Sequence, residues 1–333
     1  MQLRFKYVIL TLLAAAFTGC ALVDEDMRDC ETDYHINYEL NLVSNISTEI
    51  QTQLGMDTNV EVATALETYF LNVFKDYAHD VDLSFYDVSA DSLRLHHENH
   101  VMNANQSSYT LYIPVRKYMH VAVANLDETP GVHLTGDEKC HTAALMQEVR
   151  DTVDSYKTGI FTARLDMDIK EGVSQAFDVH LYTVNSAHAI LVDTLGSHIK
   201  GIQVFASGFA TGLNLADSTF RYTYTPVVRT DKVEVGDTPG NPLCYAAVTL
   251  PSRMSAETKA ADEAIWRYKV YTDLPDGSIT ETILGVKFPV EAGQVKLIKC
   301  SVDTDGAIVP LSVLVGASVT TDWNPGSDWD IEI

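Results

Sequence analysis

The chain has 333 residues, 46% of them apolar, enough to bury more than one sizeable core. Its 46 acidic residues against 23 basic ones give a net charge of −23 at pH 7. A surface of that sign repels nucleic acid and anionic lipid headgroups, so neither is expected as a partner.

Arg4 and Lys6 precede an apolar run from Tyr7 to Phe17. The run falls short of the roughly 20 apolar residues that cross a bilayer. A basic start followed by a short apolar core is the pattern of a secretory signal, residues 1–19. Phe17-Thr18-Gly19-Cys20 then resembles a lipobox, which implies diacylglyceryl transfer to Cys20 and cleavage before it. Each buried methylene of such lipid contributes about 0.8 kcal/mol, so two or three chains give a lasting tether. No later stretch reaches membrane-spanning length, so lipid is the expected anchor. Residues 20–32 read as a linker. Its Asp24-Glu25-Asp26 resembles the acidic signal that directs some Bacteroidetes lipoproteins to the outer face of the cell, and a plain solvated linker is the other reading.

Tyr34, Ile36, Tyr38, Leu40 and Leu42 alternate with polar residues, a period of two that predicts a half-buried strand. Val62, Leu66, Tyr69, Phe70, Val73 and Phe74 recur at helical spacing and predict an amphipathic helix over 60–78. Strands are expected over 81–88, 93–97, 109–115, 118–126 and 161–169, with a short helix over 141–150. Beyond Phe177 the signals are almost all strand and turn: 177–184, 189–192, 199–206, 222–227, 243–250, 266–272, 279–288, 295–302, 307–314, 315–320 and 329–333. Pro275-Asp276-Gly277 and Asp303-Thr304-Asp305-Gly306 are hairpin turns. The spacing predicts a mainly β chain of two β-sandwich domains, 33–174 with inserted helices and 175–333.

Cys30, Cys140, Cys244 and Cys300 remain after Cys20. An even number in an exported chain permits two disulfides in three connectivities. Pairing within halves, Cys30–Cys140 and Cys244–Cys300, respects the domain division, and buried free thiols are the alternative. His96-His97-Glu98-Asn99-His100 is one residue short of the metalloprotease spacing and reads as an exposed polar turn. Asp303-Thr304-Asp305-Gly306 mimics the start of a calcium loop without its closing glutamate. No nucleophile elbow, P-loop or dinucleotide fingerprint occurs. The chain is therefore read as a non-enzyme, with no catalytic, cofactor or metal residue assigned and no small-molecule substrate expected.

Several segments in order resemble the fimbrium anchoring (fimbrillin-anchoring) subunits of Bacteroidetes. They are the lipobox with the acidic stretch to Cys30, the strand from Tyr34, 81–87, 118–126, Thr158-Gly159-Ile160-Phe161, Asp322-Trp323-Asn324-Pro325-Gly326 and Asp330-Ile331-Glu332-Ile333. The resemblance implies transthyretin-like sandwiches in tandem, on the outer membrane at the base of a fimbria. It also implies a stalk subunit of the same fold as partner, joined by strand donation, a form of β-augmentation. Polymerising members open a groove when an Arg- or Lys-specific protease removes their first strand, whereas anchors keep it.

Between Asp29 and Phe74 there is no Lys or Arg. Cleavage after Arg28 would leave the strand from Tyr34 in place, and the next site is Lys75. A retained first strand keeps the sheet edge of the first sandwich covered, which favours a terminating anchor. The expected donor lies in 311–333, where Leu311, Val313 and Val315 alternate with Ser312, Leu314 and Gly316, and where Ile331 and Ile333 follow. A stalk or tip fimbrillin of the same fold is the competing reading. A glycan-binding surface lipoprotein is a third, disfavoured by a count of only three Trp.

Overall fold

The computed structural model describes residues 33–43, 49, 52, 59–74, 78–89, 91–101, 108–195, 198–236, 238–255 and 264–322. The chain is mainly β. Two pairs of facing sheets carry most of it, and the one long helix among the described residues lies on the second pair.

The first pair is built from β1 (Asp33–Val43), β2 (Asp80–Asp87), β3 (Arg94–Val101), β4 (Ser108–Pro114) and β5 (Lys117–Ala124). β9 (Phe161–Asp168) and β10 (Gln175–Thr183) complete it. The strand order is β3-β2-β5-β9-β10-β1-β4. β9 and β10 pair only at Thr162–Tyr182 and Phe161–Thr183, so the sheet folds over at that corner into two layers. Between the layers Ile36, Tyr38 and Leu40 meet Leu83, Phe85 and Phe161, all buried. Period-two alternation explains this: Asn37 and Glu39 point to solvent while their neighbours point inward. Each such apolar side chain contributes about 1.5–3 kcal/mol when removed from water.

The sequence places β10 after an expected boundary near Ser174, yet this strand pairs with β1 over eight positions and closes the first sandwich. The helix expected over 141–150 is also replaced. Cys140–Thr142 forms one 3-10 turn, and Ala144–Gln147 is strand β7. β7 pairs with β6 (Val132–Thr135) and with β13 (Gly212–Asn214), which in turn pairs with β14 (Thr219–Arg221). Ala144 and Leu145 are fully buried, so tertiary pairing overrode the local helical spacing. This small sheet covers the outer side of the first sandwich at Val121 and Val123.

The second pair of sheets starts with β11 (Ser186–Asp193), β12 (Gly201–Ser207), β15 (Val227–Arg229), β16 (Asp231–Val233) and β17 (Leu243–Thr249). It ends with β18 (Trp266–Asp273), β19 (Ile279–Val286), β20 (Val295–Val302), β21 (Ile308–Pro310) and β22 (Val315–Asp322). One sheet runs β16-β17-β11-β20-β21. The other runs β22-β19-β18-β12-β15-β8, where β8 is Thr152–Asp154. Their shared core is dominated by Trp266, Tyr268 and Ile190. The strand expected over 222–227 does not form; β14 and β15 flank an irregular stretch. The strand expected over 307–314 shrinks to Ile308–Pro310 before a turn.

Helix α1 (Val60–Val73) begins at Asn59, whose side chain accepts a hydrogen bond from Glu61 N at 2.9 Å, a regular N-cap. It ends at Phe74, short of the expected Ala78. Its Val62, Leu66, Phe70 and Val73 pack on Ala187, Ala189, Ala246 and Val248, on the outer face of the second sandwich. The alanines leave room for the helix to approach. Glu61 accepts from Asn241 Nδ2 at 2.7 Å and Thr238 Oγ1 at 2.8 Å, and Tyr69 donates to Asp231 at 2.5 Å. A helix expected as an insertion of the first sandwich is thus fastened to the second.

Candidate functional site

The residues singled out from the sequence fall in two places, the first strand and the last. β1 lies between β4 and β10, pairing antiparallel with one and parallel with the other. It is therefore an interior strand, and the edges of its sheet are β3 and β4. The feature that it fills is a slot rather than an edge. Ile36, Tyr38 and Leu40 line the core side, while Tyr34 and Leu42 pair through their backbones with Ile113 and Leu181.

Tyr38 makes a polar contact that crosses this core from β1. Its hydroxyl meets His120 Nε2, and His120 Nδ1 lies 3.1 Å from Ser84 O. A carbonyl only accepts, so Nδ1 carries the hydrogen and Nε2 accepts from Tyr38. The imidazole stacks on Phe85 at 4.2 Å. Burial holds its pKa down at about 3, with the Ser84 bond opposing the shift, so the ring is neutral at ordinary pH. His120 was not singled out from the sequence. β5 is buried on both sides. Tyr118 and His120 face the sandwich, and Val121 and Val123 face the small sheet.

At the other end, Leu311 and Val313 do not form a strand. They sit in the turn between β21 and β22, 66% and 95% exposed, while Val315 opens β22 and is buried. β22 pairs with β19 over eight positions as an edge strand. Residues 316–319 are nonetheless exposed on both faces, so backbone hydrogen bonds rather than side-chain burial hold it. Ile331 and Ile333 lie outside the described residues, as do Cys20, Cys30 and residues 1–32.

The pairing of Cys244 with Cys300 is not made. Both are free thiols on opposite faces of one sheet: Cys244 lies under α1, Cys300 in the core between the sheets. Burial pushes both thiols up to about 12, which makes them poor nucleophiles. Cys140 is a free buried thiol 2.9 Å from the sulfur of Met119.

The histidine-rich segment is a strand, β3, not a turn. Glu98 takes His96 on one oxygen at 2.5 Å and His100 on the other at 2.8 Å, and His97 meets Asp82 at 2.6 Å. Among the described residues no group of three or more His, Cys, Asp or Glu is arranged to hold a metal. Asp303 accepts from the backbone N–H of Asp305 and of Ala307, at 3.0 and 2.8 Å, as the expected hairpin turn requires. Among the described residues no helix is long and apolar enough to cross a membrane.

No protein-family model matches the chain, and no curated protein matches it. Solved structures do. A candidate adhesin from Bacteroides ovatus superposes with a TM-score of 0.52 at 9% identity, covering 89% of this chain and 97% of its own. A second candidate adhesin, from Bacteroides thetaiotaomicron, gives 0.51 at 8% identity over 87% and 97%. The fimbrial anchor protein Mfa2 from Porphyromonas gingivalis gives 0.47 at 11% identity over 85% and 97%. At identities this low the likeness is one of fold: the chain shares its β-sandwich fold with the two candidate adhesins of Bacteroides over nearly their whole length.

Proposed function

We propose that the protein is a structural subunit that fixes a cell-surface fimbria to the outer membrane, through lipid on Cys20, and at which polymerisation stops. The observation that carries this reading is the place of β1, inside its sheet and hydrogen-bonded on both sides. A strand in that position leaves no slot for a strand from a neighbour. The protease that opens polymerising members has no Lys or Arg to cut between Asp29 and Phe74. The resemblance of the ordered segments to anchoring subunits, and the fold shared with candidate adhesins, support the same reading. The two sandwiches act as transthyretin-like domains in tandem, divided after Thr183 rather than near Ser174.

The donor is β22 with the residues that follow it. Peeling β22 from β19 breaks backbone bonds but uncovers little apolar surface, since only Val315 of residues 315–319 is buried. A strand so held can exchange into a stalk subunit of the same fold at small cost. Two measurements test the proposal. Trypsin applied to the mature protein starting at Cys20 should leave β1 attached, with cleavage at Arg28 alone among sites before Lys75. Truncation before Val315 should leave a folded, membrane-bound protein that releases its fimbriae. A truncated protein that retains them normally would refute the donor assignment, and a mature chain starting beyond Val43 would refute the anchor.

A further inference from the structure

Among the described side chains each sandwich contains one fully buried histidine, and each is tied across the core to a tyrosine hydroxyl. In the first, Tyr38 of β1 meets His120 of β5, which stacks on Phe85 of β2. In the second, His188 of β11 meets Tyr268 of β18 at 2.7 Å and stacks on Phe209, just past β12, at 4.8 Å. Strand order and direction make β1 equivalent to β11, β2 to β12 and β5 to β18. The same two strands are therefore joined in both sandwiches, with the residue types exchanged. What the two have in common is the bond, not the side chain that stands on either strand.

The bond depends on a neutral ring. Tyr38 can donate to Nε2 only while that nitrogen holds a lone pair, because Nδ1–H is already given to Ser84 O. A proton on Nε2 forces the hydroxyl to turn and leaves a charge in an apolar core. Around His120, β1 presents Tyr38, β2 presents the Ser84 carbonyl and Phe85, and β9 presents Leu165. Phe85 in turn carries two further titratable groups on its rim, His96 of β3, with Glu98 at its ring, and Tyr118 of β5. His188 faces Tyr268 and Trp266 of β18, with Lys296 as its neighbour on β20.

We propose that the Tyr38–His120 pair is an acid-released latch on the first strand: the neutral ring holds β1 in its slot, and protonation frees it. This rests on β1 being the retained strand that stops assembly, and adds the condition under which retention is lost. Release is selective for the first sandwich. β11 has α1 packed over its outer face at Ala187, Ala189 and Leu191, whereas on the outer face of β1 the described side chains are exposed Asn37 and Glu39 and half-exposed Asn41.

Hydrogen exchange on the full chain from pH 7 to pH 4, corrected for intrinsic rates, tests the latch. The opening constant of the β1 amides should rise about tenfold per pH unit below about 6.5. That of β11 should stay lower throughout. His120→Gln should flatten the β1 curve, and His188→Gln should leave it unchanged. Should His120→Gln fail to fold, Tyr38→Phe keeps the histidine and should raise β1 opening at pH 7 by about fivefold to tenfold. A β1 curve as flat in the unaltered protein as in His120→Gln, or one flattened equally by His188→Gln, overturns the latch. So does β1 opening at pH 7 unmoved by Tyr38→Phe. Fimbrial retention is not read in this experiment, so a working latch in a protein that holds no fimbria would sink the anchor alone.

Discussion

The two sandwiches repeat the same seven-strand plan and finish it differently. β3-β2-β5-β9 and β10-β1-β4 in the first correspond in order to β15-β12-β18-β19 and β20-β11-β17 in the second. In the second, α1 roofs one sheet and β22 extends the other. In the first, the matching face carries exposed Asn37, Glu39, Thr110 and Asp178, with no roof over it among the described residues. The difference follows from residue size and polarity on one face. Ala187, Ala189 and Ala246 admit a helix, whereas Asn and Asp satisfy water. An identical strand order thus yields one sandwich whose β11 sheet is covered by a helix and another whose β1 sheet turns polar side chains outward, while its β5 sheet is covered by the small sheet.

The comparison can be broken most severely at the second core. Trp266→Ala removes the largest fully buried side chain and its bond from Nε1 to Phe288 O, so a loss of about 3–5 kcal/mol is expected in urea unfolding. A loss confined to β18 exchange, with global stability intact, would show that the two cores unfold separately.

Acid should act next. Both buried histidines sit at about 3 in the folded chain, below the ordinary 6.5 of an unfolded one. A lowered folded pKa means that the unfolded state binds more protons between those values. Stability is therefore full above about 6.5 and falls as pH drops toward 3, by about 1.4 kcal/mol per pH unit for each histidine. His120→Gln and His188→Gln should each remove one of the two contributions to the slope. Slopes unchanged in both would mean that neither ring is buried neutral in solution.

The roof gives the sharpest contrast. Leu66→Ala should cost about 2–5 kcal/mol, while Thr110→Ala on the open face of the first sandwich should stay within about 0.5 kcal/mol. Equal effects would deny that the helix seals the outer face of β11 while the outer face of β1 stays open. Smallest is the cap: Asn59→Ala should lower stability by about 1 kcal/mol, read as a shift of the urea midpoint. A null result there would leave the hold on the helix N-terminus to Glu61 with Asn241 and Thr238.

Most strands were legible, because a half-buried strand writes a period of two into its residues, as 34–42 does. Strands of three or four residues, such as β7, β8 and β16, were not, since so short a run has no period to read. The candidate site was half legible. The alternation of the first strand and the gap in basic residues could be seen, but the pairing of Tyr38 with His120 across 82 positions of sequence could not. Leu311 and Val313 show the converse, a correct alternation that the chain spends on a turn.

By itself, the sequence determined what is local: the basic start, the apolar run and the Gly19-Cys20 pair, the acidic charge, the helix face, the alternation of the first strand, and the stretch from Asp29 to Phe74 without Lys or Arg. Tertiary structure decided what depends on which surfaces meet. It put β10 into the first sandwich, laid α1 on the second, set Cys244 and Cys300 on opposite faces of one sheet, and made β1 an interior strand. The reason is that a period tells a residue's face but not what that face will touch, and contacts between distant strands are chosen by packing of the whole core.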